Sequence, residues 1–285
     1  MKLIHRAAAL AAPLALALGA LGPTAHAAPT APAAPIDDPA SLINPRTDCP
    51  PDYPPGSQYP ICLILLVGGG SMKLGGLTQQ IDQPIKIVVQ NLITADGDLK
   101  DTYTAMSGEP MTIPGGVLGV LGLPDVPFLS SLPLFQVKVQ AQYAGKFAIN
   151  LPNVNLKMKI KVENPLLGDT CTIGTDEDPI DMNLNADLGN LTIVKEGDPD
   201  RPFDDPSVMR VPAEENTFSV PKTSGCGFLA PIIDWAVGLP SASGQNSAHF
   251  DSYLTIAAYP TGDAATDARA RKSLTTRFPA LTANH

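Results

Sequence analysis

Apolar and polar residues alternate one for one over several stretches of this chain, and that period of two commits it to β-sheet. Phe135, Val137, Val139, Ala141 and Tyr143 share one face against Gln136, Lys138, Gln140 and Gln142. Leu156, Met158, Ile160 and Val162 oppose Asn155, Lys157, Lys159, Lys161 and Glu163. Ile180, Met182, Leu184, Ala186 and Leu188 oppose Asp181, Asn183, Asn185 and Asp187, and Phe250, Ser252, Leu254, Ile256 and Ala258 repeat the scheme more weakly. Side chains in a strand point to opposite faces in turn, so each stretch buries one face and wets the other, as antiparallel sheets do. Residues 62–67 and 85–89 add two strands, the first apolar on both faces and therefore expected to be central. The 30 prolines and 24 glycines call for many turns and few long helices. The expected fold is all-β: an antiparallel β-sandwich with one short helix after Cys226 and a flexible N-terminal segment.

The ends of the chain read differently from this body. Lys2, His5 and Arg6 precede an uncharged run from Ala7 to Gly22, and Ala25-His26-Ala27 offers the small residues a signal peptidase needs. Residues 1–27 are expected to be a signal peptide. The run is shorter than the roughly 18 residues that cross a bilayer, so no transmembrane anchor is expected after cleavage. Residues 28–48 are Ala/Pro-rich, with five prolines between Pro29 and Pro45, and read as a tether. Residues 49–260 form the expected β-domain and 261–285 a C-terminal tail, with a short helix near 264–272. Without Lys2 and Arg6, 17 basic side chains face 28 acidic ones, a net charge of −11. That sign excludes nucleic acid, or an anionic membrane, as a partner held by bulk electrostatics.

All four cysteines fall in the body, and an even number in an exported chain reads as disulfides rather than zinc, since no Cys-x-x-Cys spacing occurs. Of three possible connectivities, Cys49–Cys62 with Cys171–Cys226 is favoured, because the first pair closes a short Pro-rich loop that has no other means of holding shape. After Gly225-Cys226-Gly227, the residues Phe228, Leu229, Ile232, Ile233, Ala236 and Val237 fall at helical spacing. Pro231 stands in the first turn of that helix and Gly238 is suited to end it. Trp235 reads as a packing residue.

The block Asn164-Pro165-Leu166-Leu167-Gly168 followed by Thr170-Cys171-Thr172-Ile173-Gly174 resembles one found in a set of secreted actinobacterial proteins. So do Gly225-Cys226-Gly227-Phe228 and the following Val237-Gly238-Leu239-Pro240-Ser241-Ala242 and Gly244-Gln245-Asn246. The resemblance covers residues 60–254 and is more specific in its second half. It implies a secreted β-rich fold with this cysteine framework, and supports the Cys171–Cys226 pairing. It carries over no catalytic residue and implies no activity.

Catalytic patterns are sparse. A serine hydrolase needs an imidazole to take the serine proton, and beyond the signal only His249 and His285 remain. His249 stands beside Asp251 and near Ser247. No Gly-x-Ser-x-Gly elbow occurs, and Ser71 with Lys73 makes only a Ser-x-Lys pair. Acids at 176–178, 198–205 and 214–215 lie among prolines and glycines, where solvated loops place them, and a single Trp offers little sugar stacking. Asp96-Gly97-Asp98 with Asp101, and Asp198 with Asp200, are oxygen-rich turns of the sort that hold Ca²⁺, but neither fits the twelve-residue calcium loop. Asp-Gly is also an ordinary hairpin turn. No catalytic residue and no cofactor is therefore expected.

Residues 113–135 are the most unusual segment, with Asp125 their only charge. Their glycines and prolines forbid a long helix or a regular strand. Val117, Leu118, Val120, Leu121, Leu123, Phe128, Leu129 and Leu132 are each worth about 1.5–3 kcal/mol when fully buried. Such a segment either closes one end of the sheet structure or presents an apolar surface to a ligand. The sequence thus leads to a secreted, non-enzymatic β-protein whose partner is an apolar ligand, a lipid or another component of the cell envelope. The alternatives are an extracellular hydrolase, in which His249 or Ser71 would matter, and a structural cell-surface protein.

Overall fold

The computed structural model describes residues 38–53, 59–93 and 99–263, with positions 265, 267, 268 and 272. The expected signal peptide, residues 28–37 of the tether, the Asp96–Asp98 turn and most of the C-terminal tail lie outside the described residues. The chain forms strands β1 (Tyr59–Leu74), β2 (Leu77–Gln80), β3 (Ile85–Ile93), β4 (Leu99–Gly108) and β5 (Met111–Thr112). There follow β6 (Lys138–Asn150), β7 (Asn153–Glu163), β8 (Thr172–Ile173), β9 (Ile180–Ala186) and β10 (Thr192–Lys195). The last are β11 (Val208–Glu215), β12 (Thr223–Ser224) and β13 (Ser247–Ala258). Short α-helices punctuate them, among the described residues α1 (Pro45–Asp48), α2 (Gly116–Val120), α3 (Pro127–Ser130) and α4 (Ala230–Val237).

The expected all-β, antiparallel architecture is present. Its two facing layers are opposite walls of one sheet that curls on itself. The main path runs β12-β8-β7-β9-β11-β13-β1-β3-β4, and β6 pairs on the free side of β7. The curl brings β4 alongside β6. There β4 passes into β5, which pairs with β6 through Met111 and Val139, and Gln140 Nε2 donates to the Gly108 carbonyl at 2.7 Å.

The alternating patterns fill the inside of this curl. Leu63, Leu65 and Val67 face Leu156, Met158 and Ile160, with Ile87, Met182, Leu184 and Phe250 between them in one continuous core. Interiors pack at nearly crystalline density. The gap left among Phe147, Leu184, Phe250 and Leu254 is about 30 Å³, close to the ~30 Å³ one water molecule occupies in the liquid. No residue of the 113–135 segment lines it.

The other face of β1 explains why that strand is apolar on both sides. Cys62, Ile64 and Leu66 join Val88, Val208, Tyr253 and Ala257 in a second core outside the curl. Residues 39–53 cover it, burying Ala40, Ile43 and Cys49. Part of the expected tether, from residue 39 on, therefore belongs to the folded body. Asn44 caps α1 by accepting from Arg46 N–H. Lys86 Nζ pairs with Asp48 at 2.7 Å and donates to the Leu42 carbonyl, and Cys49–Cys62 locks the cover down. Tyr53, Phe203 and Tyr259 stack at its margin, with ring centroids 5.3 and 4.6 Å apart. The other disulfide joins Cys171 to Cys226, so both expected pairings are present.

Candidate functional site

At one end of the curl the chain makes an apolar crown from three stretches. The first is the 113–135 segment, folded into α2, α3 and their turns. Ile113 N–H donates to the Val137 carbonyl and Val117 N–H to that of Phe135, which ties the segment to the start of β6. Gly116 must be glycine here: its φ is +53°, and a Cβ would lie 2.0 Å from the Phe135 carbonyl oxygen. The second stretch carries Leu166. Asn164 Nδ2 donates to the carbonyls of Leu134 and Gln136, so this turn lies against the first.

The third stretch follows Cys226. A 3-10 turn leads into α4, which Gly238 ends in the left-handed conformation, as the sequence suggests. The Cys171–Cys226 bond and the hydrogen bond from Thr170 Oγ1 to the Gly225 carbonyl fasten it to the second stretch. Helix α4 also touches α2. Its far end is held by Gly76 N–H, which donates to the Val237 carbonyl at 2.6 Å. Beside it the buried Asn246 bonds to Gly75 N–H and to the carbonyls of Phe218 and Ala242.

The crown has an inner and an outer side. Val117, Val120, Leu167, Ala230 and Ile233 pack on the main core and plug the end of the curl. Leu118 and Leu129 are half-buried. Leu121, Leu123, Phe128 and Leu132 are exposed, as are Val126 and Leu134. With Leu166, Phe228, Ile232 and Trp235 they make ten of the thirteen exposed large apolar side chains among the described residues. Scattered exposed apolar residues are ordinary on any protein, but this concentration at one end is not. Phe228 is 85% exposed, Phe128 73% and Trp235 67%. Trp235 is thus a surface residue, not the packing residue expected. The signal for it lay in α4 itself, in which every residue but Asp234 is apolar. A short helix resting on one support buries only one side.

Many of the crown's backbone N–H groups are bonded within the crown itself. Leu121, Leu123, Ser130, Ser131 and Leu132 donate backbone N–H groups to carbonyls within the segment. The hydroxyls of Ser130 and Ser131 donate to the carbonyls of Val126 and Phe128. Pro124, Pro127, Pro133 and Pro231 have no N–H to satisfy.

Beyond the crown, β-pairing brings together residues that the sequence leaves apart. Ser71 on β1, His249 on β13 and Glu214 on β11 are consecutive register partners on the outer face. His249 Nδ1 lies 3.5 Å from Glu214 Oε2, and both side chains are well exposed. Among the described residues no side-chain hydrogen bond joins Ser71 to His249 or to Lys73. Asp251, the acid nearest His249 in sequence, is engaged instead by Arg210 Nε at 2.6 Å. His249, Glu214, Asp251 and Arg210, but not Ser71, border an open groove of about 700 Å³ that also includes Asp187 and Asn185.

The acid-rich loops hold ordinary ion pairs. Asp176 meets Lys159 at 2.8 Å, and Asp205 meets Lys195 at the same distance. Asp198 accepts from Arg201 and from Asp200 N–H, which holds its carboxyl below the usual range. Asp101 accepts from Asn91, while partial burial raises its pKa. Among the described residues no group of three or more His, Cys, Asp or Glu side chains is placed to hold a metal ion. No helix there is long and apolar enough to cross a membrane. No family model matches the chain, and neither does any curated protein or solved structure.

Proposed function

We propose that this is a secreted, non-enzymatic protein that binds lipid of the cell envelope by seating its apolar crown in the acyl layer. The observation that carries this reading is the joint one: a cluster of exposed apolar side chains on a backbone many of whose N–H groups are already bonded within the segment. Hydrocarbon offers no hydrogen bonds, so each group bonded beforehand spares a penalty of several kcal/mol on entry. A protein partner imposes no such demand. Phe228 and Trp235 at the outermost positions are of the aromatic type that settles at a membrane interface. Removing about half the surface of six such side chains from water contributes on the order of 5–9 kcal/mol, enough for reversible seating.

Trp235 is the only tryptophan in the chain, so its fluorescence reports on the crown alone. Neutral phospholipid vesicles should shift its emission to the blue, and lipids brominated along the acyl chain should quench it. Phe128→Asp combined with Phe228→Asp should remove both effects without unfolding the protein. An emission spectrum unmoved by every vesicle composition would sink the reading. A blue shift that grows with protein concentration in the absence of lipid would instead assign the crown to a second copy of the chain.

The row Ser71, His249 and Glu214 favours a second reading, hydrolysis at the outer face of the sheet. It is the weaker one, because the row lies open to water and, among the described residues, no side-chain hydrogen bond links serine to base. Covalent labelling of Ser71 by a fluorophosphonate would promote it.

A further inference from the structure

A polar groove of about 500 Å³ runs along the foot of the crown, within the roughly 300–1,000 Å³ typical of small-molecule sites. Pro133 and Pro165 form its apolar wall, and their chain neighbours Leu132, Leu134 and Leu166 are crown residues. Lys138, Lys161, Glu163 and Asp169 line it as well.

Most polar groups here are already engaged. Asn164 spends its amide on the carbonyls of Leu134 and Gln136, and its Oδ1 accepts from Leu166 N–H. Lys161 and Glu163 pair with each other at 2.8 Å. The Glu163 carboxylate also raises the Lys161 pKa, first by this hydrogen bond and then by its charge. What remains is one cation and one anion. Lys138 sits opposite Glu163 in the β6–β7 register, exposed and without an ion pair among the described residues. Asp169 is exposed on the same groove, in the field of Lys161 but without an ion pair of its own among the described residues.

We propose that this groove holds the headgroup of an amine-bearing, zwitterionic phospholipid whose chains enter the layer that the crown occupies. Lys138 takes the phosphate, and Asp169 accepts from the primary ammonium. A purely anionic headgroup would set its charge against Asp169, whereas a quaternary ammonium has no N–H to donate. The inference rests on the lipid reading above for the placement of the chains, but the groove can be tested without a membrane.

Backbone NMR of the whole protein titrated with soluble glycerophosphoethanolamine should show saturable shifts centred on Lys138 and Asp169. Glycerol 3-phosphate and glycerophosphocholine should bind about tenfold or more weakly, the loss expected when one charge-assisted hydrogen bond goes unmade. Lys138→Glu should abolish the shifts, and Asp169→Asn should erase the preference for the amine. In vesicles, Lys138→Glu should keep the Trp235 blue shift on a phosphate-free lipid surface while losing the preference for ethanolamine lipid. Equal or tighter binding of glycerol 3-phosphate, or no shift at Lys138 and Asp169, overturns the proposal and leaves the crown reading intact. Shifts at the groove with a Trp235 emission that no vesicle moves would overturn the lipid source and point to a soluble phosphoamine.

Discussion

Two of the apolar surfaces outside the main core of this molecule meet opposite fates. Both are held by a disulfide and both carry aromatic residues. The surface on the outer face of β1 is roofed by residues 39–53, so that Cys62, Ile64 and Leu66 are almost wholly inaccessible. Among the described residues nothing roofs the crown, and Phe128, Phe228 and Trp235 are exposed. Where the chain needs an apolar surface for stability, it supplies the cover from its own sequence and pins it. The uncovered surface is stapled from beneath instead, which fixes its shape and leaves its outer side open.

The contrast predicts that equivalent truncations act on different properties. The largest effect on stability belongs under the roof. Ile64→Ala should destabilise by about 2–5 kcal/mol, because neighbours cannot collapse into the space left in a packed sheet. Chemical denaturation would measure it, and a loss below about 1 kcal/mol would deny that the roofed surface is a true core. Next comes Cys49→Ser with Cys62→Ser. Opening this short loop should cost about 3 kcal/mol, or roughly 6–12 °C in Tm for a domain of this size. Dye binding to the newly exposed surface should accompany it. Asp48→Ala, which leaves Lys86 without its ion pair beneath the roof, should cost less, about 1–2 kcal/mol. The smallest stability effect is expected at the crown: Phe228→Ala and Trp235→Ala should each stay within about 0.5 kcal/mol. Vesicle partitioning of Phe228→Ala, followed by Trp235 emission, should nonetheless fall severalfold. If these crown variants unfolded as readily as Ile64→Ala, the two surfaces would be one kind of surface after all.

Much of this could be read from residue order. The alternation at 156–162 and 180–186 marks β7 and β9, and the doubly apolar run at 62–67 marks a central strand with something packed on each side. What packs outside it was not legible, because residues 39–48 have only Ala40, Leu42 and Ile43 as apolar side chains besides two prolines. Their place depends on a disulfide and on Lys86, both fixed only in three dimensions. Strand β11 was hidden for another reason. Pro212 interrupts it, yet the β9 pairing there is confined to Ala213 and Glu214, and the Pro212 carbonyl still accepts from Asp187 N–H. The weak alternation at 250–258 has the same origin as that of β1, since Tyr253 and Ala257 face the roofed core while Phe250 and Leu254 face the main one. The apolar candidates at 117–132 were visible from composition, and their division into inner and outer members was not. That division follows from which side of a short helix meets the plug. Leu166 joins them through the bonds of Asn164 to the Leu134 and Gln136 carbonyls, and Phe228 and Trp235 through the Cys171–Cys226 bond and the contact of α4 with α2.

The clamp beneath α4 bears on how such a molecule can change over generations. Asn246 and the Gly75-Gly76 turn grip the helix by its backbone, and a side chain at Gly225 would collide with the Thr170 carbonyl. The constraint therefore falls on the grip and hardly at all on the outward side chains of the crown. Those positions can drift or be exchanged wholesale while the body keeps its shape. A lineage, or an engineer, can retarget the tip to a different surface without having to refold what stands behind it.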